Sequence, residues 1–192
     1  QEEDNQNGLA HFLEHMAFNG TKSFKEGIPH FLKRRGVSQF NAQTGQDETV
    51  YYMTGVATAD TGLVDSCLLV MKDWSGFLLL DPVEIDKERG VIKEERRSRR
   101  NLGMRLREQT DPYVFNHSKY ATRNIIGSEE IIQNFTPDEL RVYYKDFYRP
   151  DQQAVIVVGD VDAAKMEADI RKLFNPIPKR VNPKPRLVYG IP

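Results

Sequence analysis

After a polar opening, Leu9, Phe12, Leu13 and Met16 recur at helical spacing up to the breaker Asn19-Gly20, which predicts a first helix with an apolar stripe. Ile28 to Arg35 repeats the pattern and stops at Gly36. Two strand-like runs, Val37 to Thr44 and Thr49 to Val56, are joined by Gly45-Gln46-Asp47 and predict a β-hairpin. Leu63 to Leu80 returns to a helical period, Asp81-Pro82 restarts it, and one long charged helix is expected from Pro82 to about Arg107. Thr110 to Gly127 shows no clear period. Thr136-Pro137-Asp138-Glu139 is a capping box with proline at the first helical position, opening a helix that ends near Tyr148. Ala154 to Val158 is a short run of mostly β-branched residues that predicts a central strand, and Asp162 caps a last helix to about Phe174. Together these elements predict an α+β domain, helices packed on one face of a mostly antiparallel sheet, over residues 1–174. The proline-rich stretch 175–192 reads as a linker toward a following domain.

Composition narrows the function. With 27 basic and 28 acidic residues in 192, the net charge is -1, so no field of either sign steers the whole molecule to nucleic acid or an anionic membrane. The basic run Arg96-Arg97-Ser98-Arg99-Arg100 has no interleaved aromatics and reads as a solvated helix face. No nucleic-acid partner is therefore expected. No apolar run approaches the ~20 residues of a membrane span. Cys67 is alone, which excludes an internal disulfide and a cysteine-built zinc site.

The chemistry concentrates in His11-Phe12-Leu13-Glu14-His15. On a helix the two imidazoles lie about 40° apart around the axis and roughly 6 Å apart along it, so they share a face. That spacing lets one helix offer two nitrogen ligands to a tetrahedral zinc, while Glu14, offset to the side, can reach a metal-bound water. The order His-x-x-Glu-His inverts the commoner His-Glu-x-x-His zinc motif. Two histidines are too few for zinc, so a third protein ligand must lie elsewhere.

The expected long helix offers Glu84, Glu88, Glu94 and Glu95. Counted at about 100° per residue from Ile85, Ile92 falls at about 340°, Glu88 at about 300°, Glu95 at about 280° and Glu94 at about 180°. Leu102 and Leu106 fall on the same side as the first three. Glu88 and Glu95 thus lie on the apolar face, where a carboxylate needs a partner or a metal. They are two turns apart, so one could bind zinc while the other hydrogen-bonds a ligand histidine.

The stretch Gly8 to Thr21 resembles, almost residue for residue, the active-site helix of the inverzincin metallopeptidases, the family of pitrilysin, insulin-degrading enzyme and the mitochondrial processing peptidase. The resemblance extends through Asn41-Ala42-x-Thr44, Asp47-x-Thr49-Val50-Tyr51, Glu88-Arg89 followed by Glu95, Tyr148-Arg149-Pro150 and Gly159-Asp160. It implies one Zn2+ per chain held by His11, His15 and Glu95, with Glu14 as general base and Glu88 as a second glutamate needed for activity. It also implies hydrolysis of peptides or unfolded polypeptides by a metal-activated water. An extended substrate would add to the strand edge at Phe40, Asn41, Ala42 and Thr44, with Phe18 near a side-chain pocket. Family enzymes begin with two strands before the motif helix and pair this module with a second, homologous half or subunit, so an incomplete sheet and such a partner are expected. The family's distribution suggests a bacterial periplasm or envelope. The competing class is a noncatalytic scaffold of the same fold, which should show at least one of His11, Glu14, His15 or Glu95 replaced.

Overall fold

A computed structural model describes residues 1–188. Helix α1 (Leu9–Met16) is central, and it is followed by α2 (Ile28–Arg34) and an antiparallel hairpin of β1 (Gln39–Thr44) and β2 (Thr49–Thr54). The remaining elements are helical: α3 (Thr61–Gly76), α4 (Pro82–Arg99), α5 (Leu102–Val114), α6 (Lys119–Thr122), α7 (Glu129–Asn134), α8 (Pro137–Phe147) and α9 (Ala163–Phe174). The domain is α+β in composition, mostly helical with a two-stranded antiparallel sheet among the described residues.

Helix α1 is buried on nearly every side because it lies between two apolar clusters. Leu9, Phe12, Leu13 and Met16 pack with Ile85 and Ile92 of α4, Ile132 of α7 and Leu140 of α8. Beyond its C-terminal end, Ala17 joins Ile28, Leu32, Val70 and Trp74. Each such side chain removed from water contributes about 1.5–3 kcal/mol. The start of α1 is fixed by a backbone crossing: Gly8, at φ +102, lies so close to Gly127, at φ +85, that a Cβ on either would come within 2.6 Å of the other's Cα. Only glycine meets both the positive φ and the approach. Glu2, a few residues upstream, caps this helix by accepting from the Gly8 and Ala10 amides at 3.1 and 2.8 Å.

Three expectations change. The long helix breaks at Arg100, where Asn101 caps a new helix by accepting from the Met104 amide at 3.0 Å. Leu102 and Leu106 consequently sit exposed on α5 and do not extend the buried face of α4. Half of the period-free stretch from Thr110 to Gly127 is helical, in the end of α5 and in α6.

The sheet is the larger correction. Ala154–Val158 is extended, and its burial alternates as a strand's does, but it pairs with nothing among the described residues and leaves Ile156 and Val158 exposed. A strand is completed by a neighbour's hydrogen bonds, and a cleft of about 920 Å³ bordered by β2, Trp74, Tyr148 and this segment separates it from the hairpin. The mostly antiparallel sheet thus reduces here to the hairpin. The proline-rich tail forms no helix or strand as far as Val188, yet it is anchored: the Gln1 side-chain amide exchanges two 2.8 Å hydrogen bonds with the Leu187 backbone, and Arg149 donates to the Lys184 carbonyl. Its last residues, 189–192, lie outside the described part.

Candidate metal centre

On α1, His11 is buried and His15 half-buried, and their rings are 4.7 Å apart at an angle of 65°. The i, i+4 spacing turns both toward α4, which is held against α1 by Ile85 and Ile92. From α4 the Glu95 Oε2 atom lies 3.2 Å from His15 Nε2 and 3.6 Å from His11 Nε2. Ligand atoms about 2.1 Å from a tetrahedral ion sit roughly 3.4 Å from one another, and each of these three residues offers an atom within 4.8 Å of the others. Buried Glu95 Oε2 and His11 Nδ1 have no hydrogen-bond partner. An unpaired carboxylate oxygen facing two imidazole nitrogens is a donor set that suits zinc.

The surrounding residues orient these ligands. Glu88 Oε1 lies 2.8 Å from His15 Nδ1, which fixes that nitrogen as the protonated one and leaves Nε2 its lone pair. Burial acts against the charged form of His15, but the Glu88 hydrogen bond and the charges of Glu88, Glu95 and Glu14 outweigh it and raise the pKa. For His11 burial dominates, with His15 adding to it, and the pKa is pushed down to about 4, so its ring is neutral at pH 7. Arg99, one turn along α4, pairs with the other Glu95 oxygen at 2.5 Å. Glu94 faces solvent and pairs with Arg97 at 2.9 Å, away from the histidines.

Glu14 is 9% exposed and accepts a 2.5 Å hydrogen bond from the Thr44 hydroxyl. This brings β1 against the metal-side face of α1. At the turn the Gly45 amide donates to the Glu48 carbonyl at 2.8 Å, so the antiparallel alternation turns the backbone N–H and C=O of Phe40, Ala42 and Thr44 away from β2. Their side chains face inward, with Ala42 buried and the Phe40 ring 6.2 Å from Phe18. Asn41 is exposed on the opposite face. Of the five residues expected to contact substrate, Phe40, Ala42 and Thr44 could therefore do so through their backbone.

Sequence reasoning gave no role to three groups. Arg89 donates to the carbonyls of Ile132 and Phe135 and lies 4.1 Å over the Phe135 ring, clamping α4 to the end of α7 and so setting where Glu88 and Glu95 project. Arg96 ties α4 to the Gly127 carbonyl at the glycine crossing. The Tyr51 and Tyr148 hydroxyls meet at 2.5 Å beneath the hairpin. Glu88-Arg89 was visible as a pair, but the helix period says nothing of which loops an arginine will reach.

The model of Insulinase (Peptidase family M16) matches residues 1–110, and that of the Peptidase M16 inactive domain matches residues 134–192. The chain belongs to peptidase family M16. It is 35% identical over 182 residues to "Probable zinc protease PqqL" of Escherichia coli, covering 93% of this chain and 19% of that one. It is 31% identical over 187 residues to the mitochondrial-processing peptidase subunit beta of Saccharomyces cerevisiae, with coverage of 93% and 38%. The crystal structure of the first half of the periplasmic protease PqqL from Escherichia coli superposes with a TM-score of 0.89 at 32% identity, covering 97% of this chain and 41% of that one. The chain thus spans about a fifth of the length of PqqL.

Proposed function

We propose that this chain carries the catalytic centre of a zinc metalloendopeptidase for peptides or unfolded polypeptides. The convergence of His11, His15 and the unpaired Glu95 oxygen beside Glu14 is the observation on which this rests. His11, His15 and Glu95 would hold one zinc ion, Glu88 keeping His15 in the ligating tautomer and Arg99 restraining Glu95. When bound, zinc supplies Lewis acidity that polarises a peptide carbonyl and makes a water more acidic. Glu14 takes the proton from the attacking water and later gives it to the leaving amine. The outward backbone of β1 binds the substrate as an added strand, which gives affinity with loose sequence preference.

The zinc protease names of the relatives support this reading. Since those relatives are longer, a second homologous half or subunit closing the active site belongs to the proposal, as does the periplasmic setting named for PqqL. The test is metal content of the purified protein beside Glu95→Gln and Glu94→Gln, together with turnover of an unstructured peptide. One zinc per chain, lost only with Glu95→Gln, and zinc-dependent cleavage are expected. A folded protein that takes up no added zinc would establish the scaffold reading instead.

A further inference from the structure

We infer that Thr44 is a positioning residue for Glu14, its hydroxyl holding the carboxylate in place. The inference rests on the role proposed for Glu14 and adds to it. An ionised carboxylate only accepts hydrogen bonds, so the single Thr44 proton is committed to Glu14 Oε2. Thr44 can then only accept, and the Thr49 hydroxyl lies 3.3 Å away across the hairpin. Deeper under the hairpin the Tyr148 and Tyr51 hydroxyls meet at 2.5 Å. Burial pushes both phenols above their ordinary range, so both stay protonated donors.

The Thr44 hydroxyl proton therefore points at Glu14. The hairpin that carries Thr44 is held by packed rings: Tyr51 stacks on Trp74 of α3 at 5.2 Å, and Tyr148 packs on Tyr144 of α8 at 4.9 Å. With Oε2 engaged, Oε1 is left for the water. Thr44 also joins two functions, since its backbone lies on the open edge of β1 while its side chain holds the base. A hydroxyl that touched substrate would chiefly affect KM; one that aims Glu14 affects kcat.

The test compares Thr44→Val, which removes the hydroxyl at similar volume, with Thr44→Ser, which retains it. Both are made in the protein as the cell produces it, with any sequence that flanks these residues. Thr44→Val should keep one zinc per chain and lower kcat about 10- to 100-fold, with KM within about twofold. Thr44→Ser should recover most of kcat. A crystal structure of zinc-loaded Thr44→Val should show the Glu14 carboxylate displaced. Unchanged kcat, a rise in KM alone, loss of zinc, or a Glu14 that does not move would each overturn the inference. If the wild type binds zinc without cleaving peptide, the peptidase reading fails, while the position of Glu14 still decides this one.

Discussion

His15 is oriented from both sides of its ring, with Nδ1 on Glu88 at 2.8 Å and Nε2 facing Glu95 at 3.2 Å. Glu88→Gln retains an acceptor for Nδ1 but loses the charge, so zinc affinity should fall about 10- to 100-fold with the fold intact, as measured by chelator competition. Glu14→Gln should bind zinc normally and lose about 10²- to 10⁴-fold in peptide turnover. A Glu14→Gln protein as fast as wild type would remove Glu14 from the base role. These residues were legible because a helix fixes relative direction. His11 and His15 share a face by their spacing, and Ile85 and Ile92 alone identify the side of α4 that carries Glu88 and Glu95. Thr44, Arg89 and Arg99 were not legible in these roles, because each acts on a partner that only packing or rotamer choice brings near.

Among the elements, the hairpin and the loop after α1 carry the next consequences. Proline at Ala42 would remove an amide that points away from β2, so Ala42→Pro should lower kcat/KM for peptides while zinc stays bound. Unchanged turnover would exclude β1 as the docking edge. The loop after α1 is secured by Asp73 of α3, 1% exposed, which accepts from Thr21 Oγ1 and the Ser23 amide at 2.7 Å and from Ser23 Oγ at 3.2 Å. Asp73→Ala would leave these donors unpaired and should cost about 3 kcal/mol in denaturant unfolding. Element ends with a local signal were legible: Asp81, Thr136 and Asp162 each cap their helix through the side chain. The break at Arg100 was missed because the apolar spacing runs through it without a phase change, while Asn101 supplies a competing cap.

For the molecule as a whole, a zinc ion held by His11, His15 and Glu95 would tie α1 to α4, and an ion bound only by the folded state stabilises it. At free zinc 100 times the dissociation constant the gain is about 2.7 kcal/mol, which for a chain of this size raises Tm by about 5–11 °C. A chelator should reverse that rise in wild type and leave Glu95→Gln unaffected; equal shifts in both would place the ion elsewhere. The sequence by itself determined α1 to α4, α8 and α9, the hairpin, the histidine pair and the two glutamates that face it, because period, capping and glycine placement act over a few residues. Tertiary structure decided that Ala154–Val158 has no ladder partner here, that glycine meets glycine at the start of α1, and that Thr44 reaches Glu14. These depend on distances between segments tens of residues apart in the chain, and such distances are set by how the two apolar clusters close around α1.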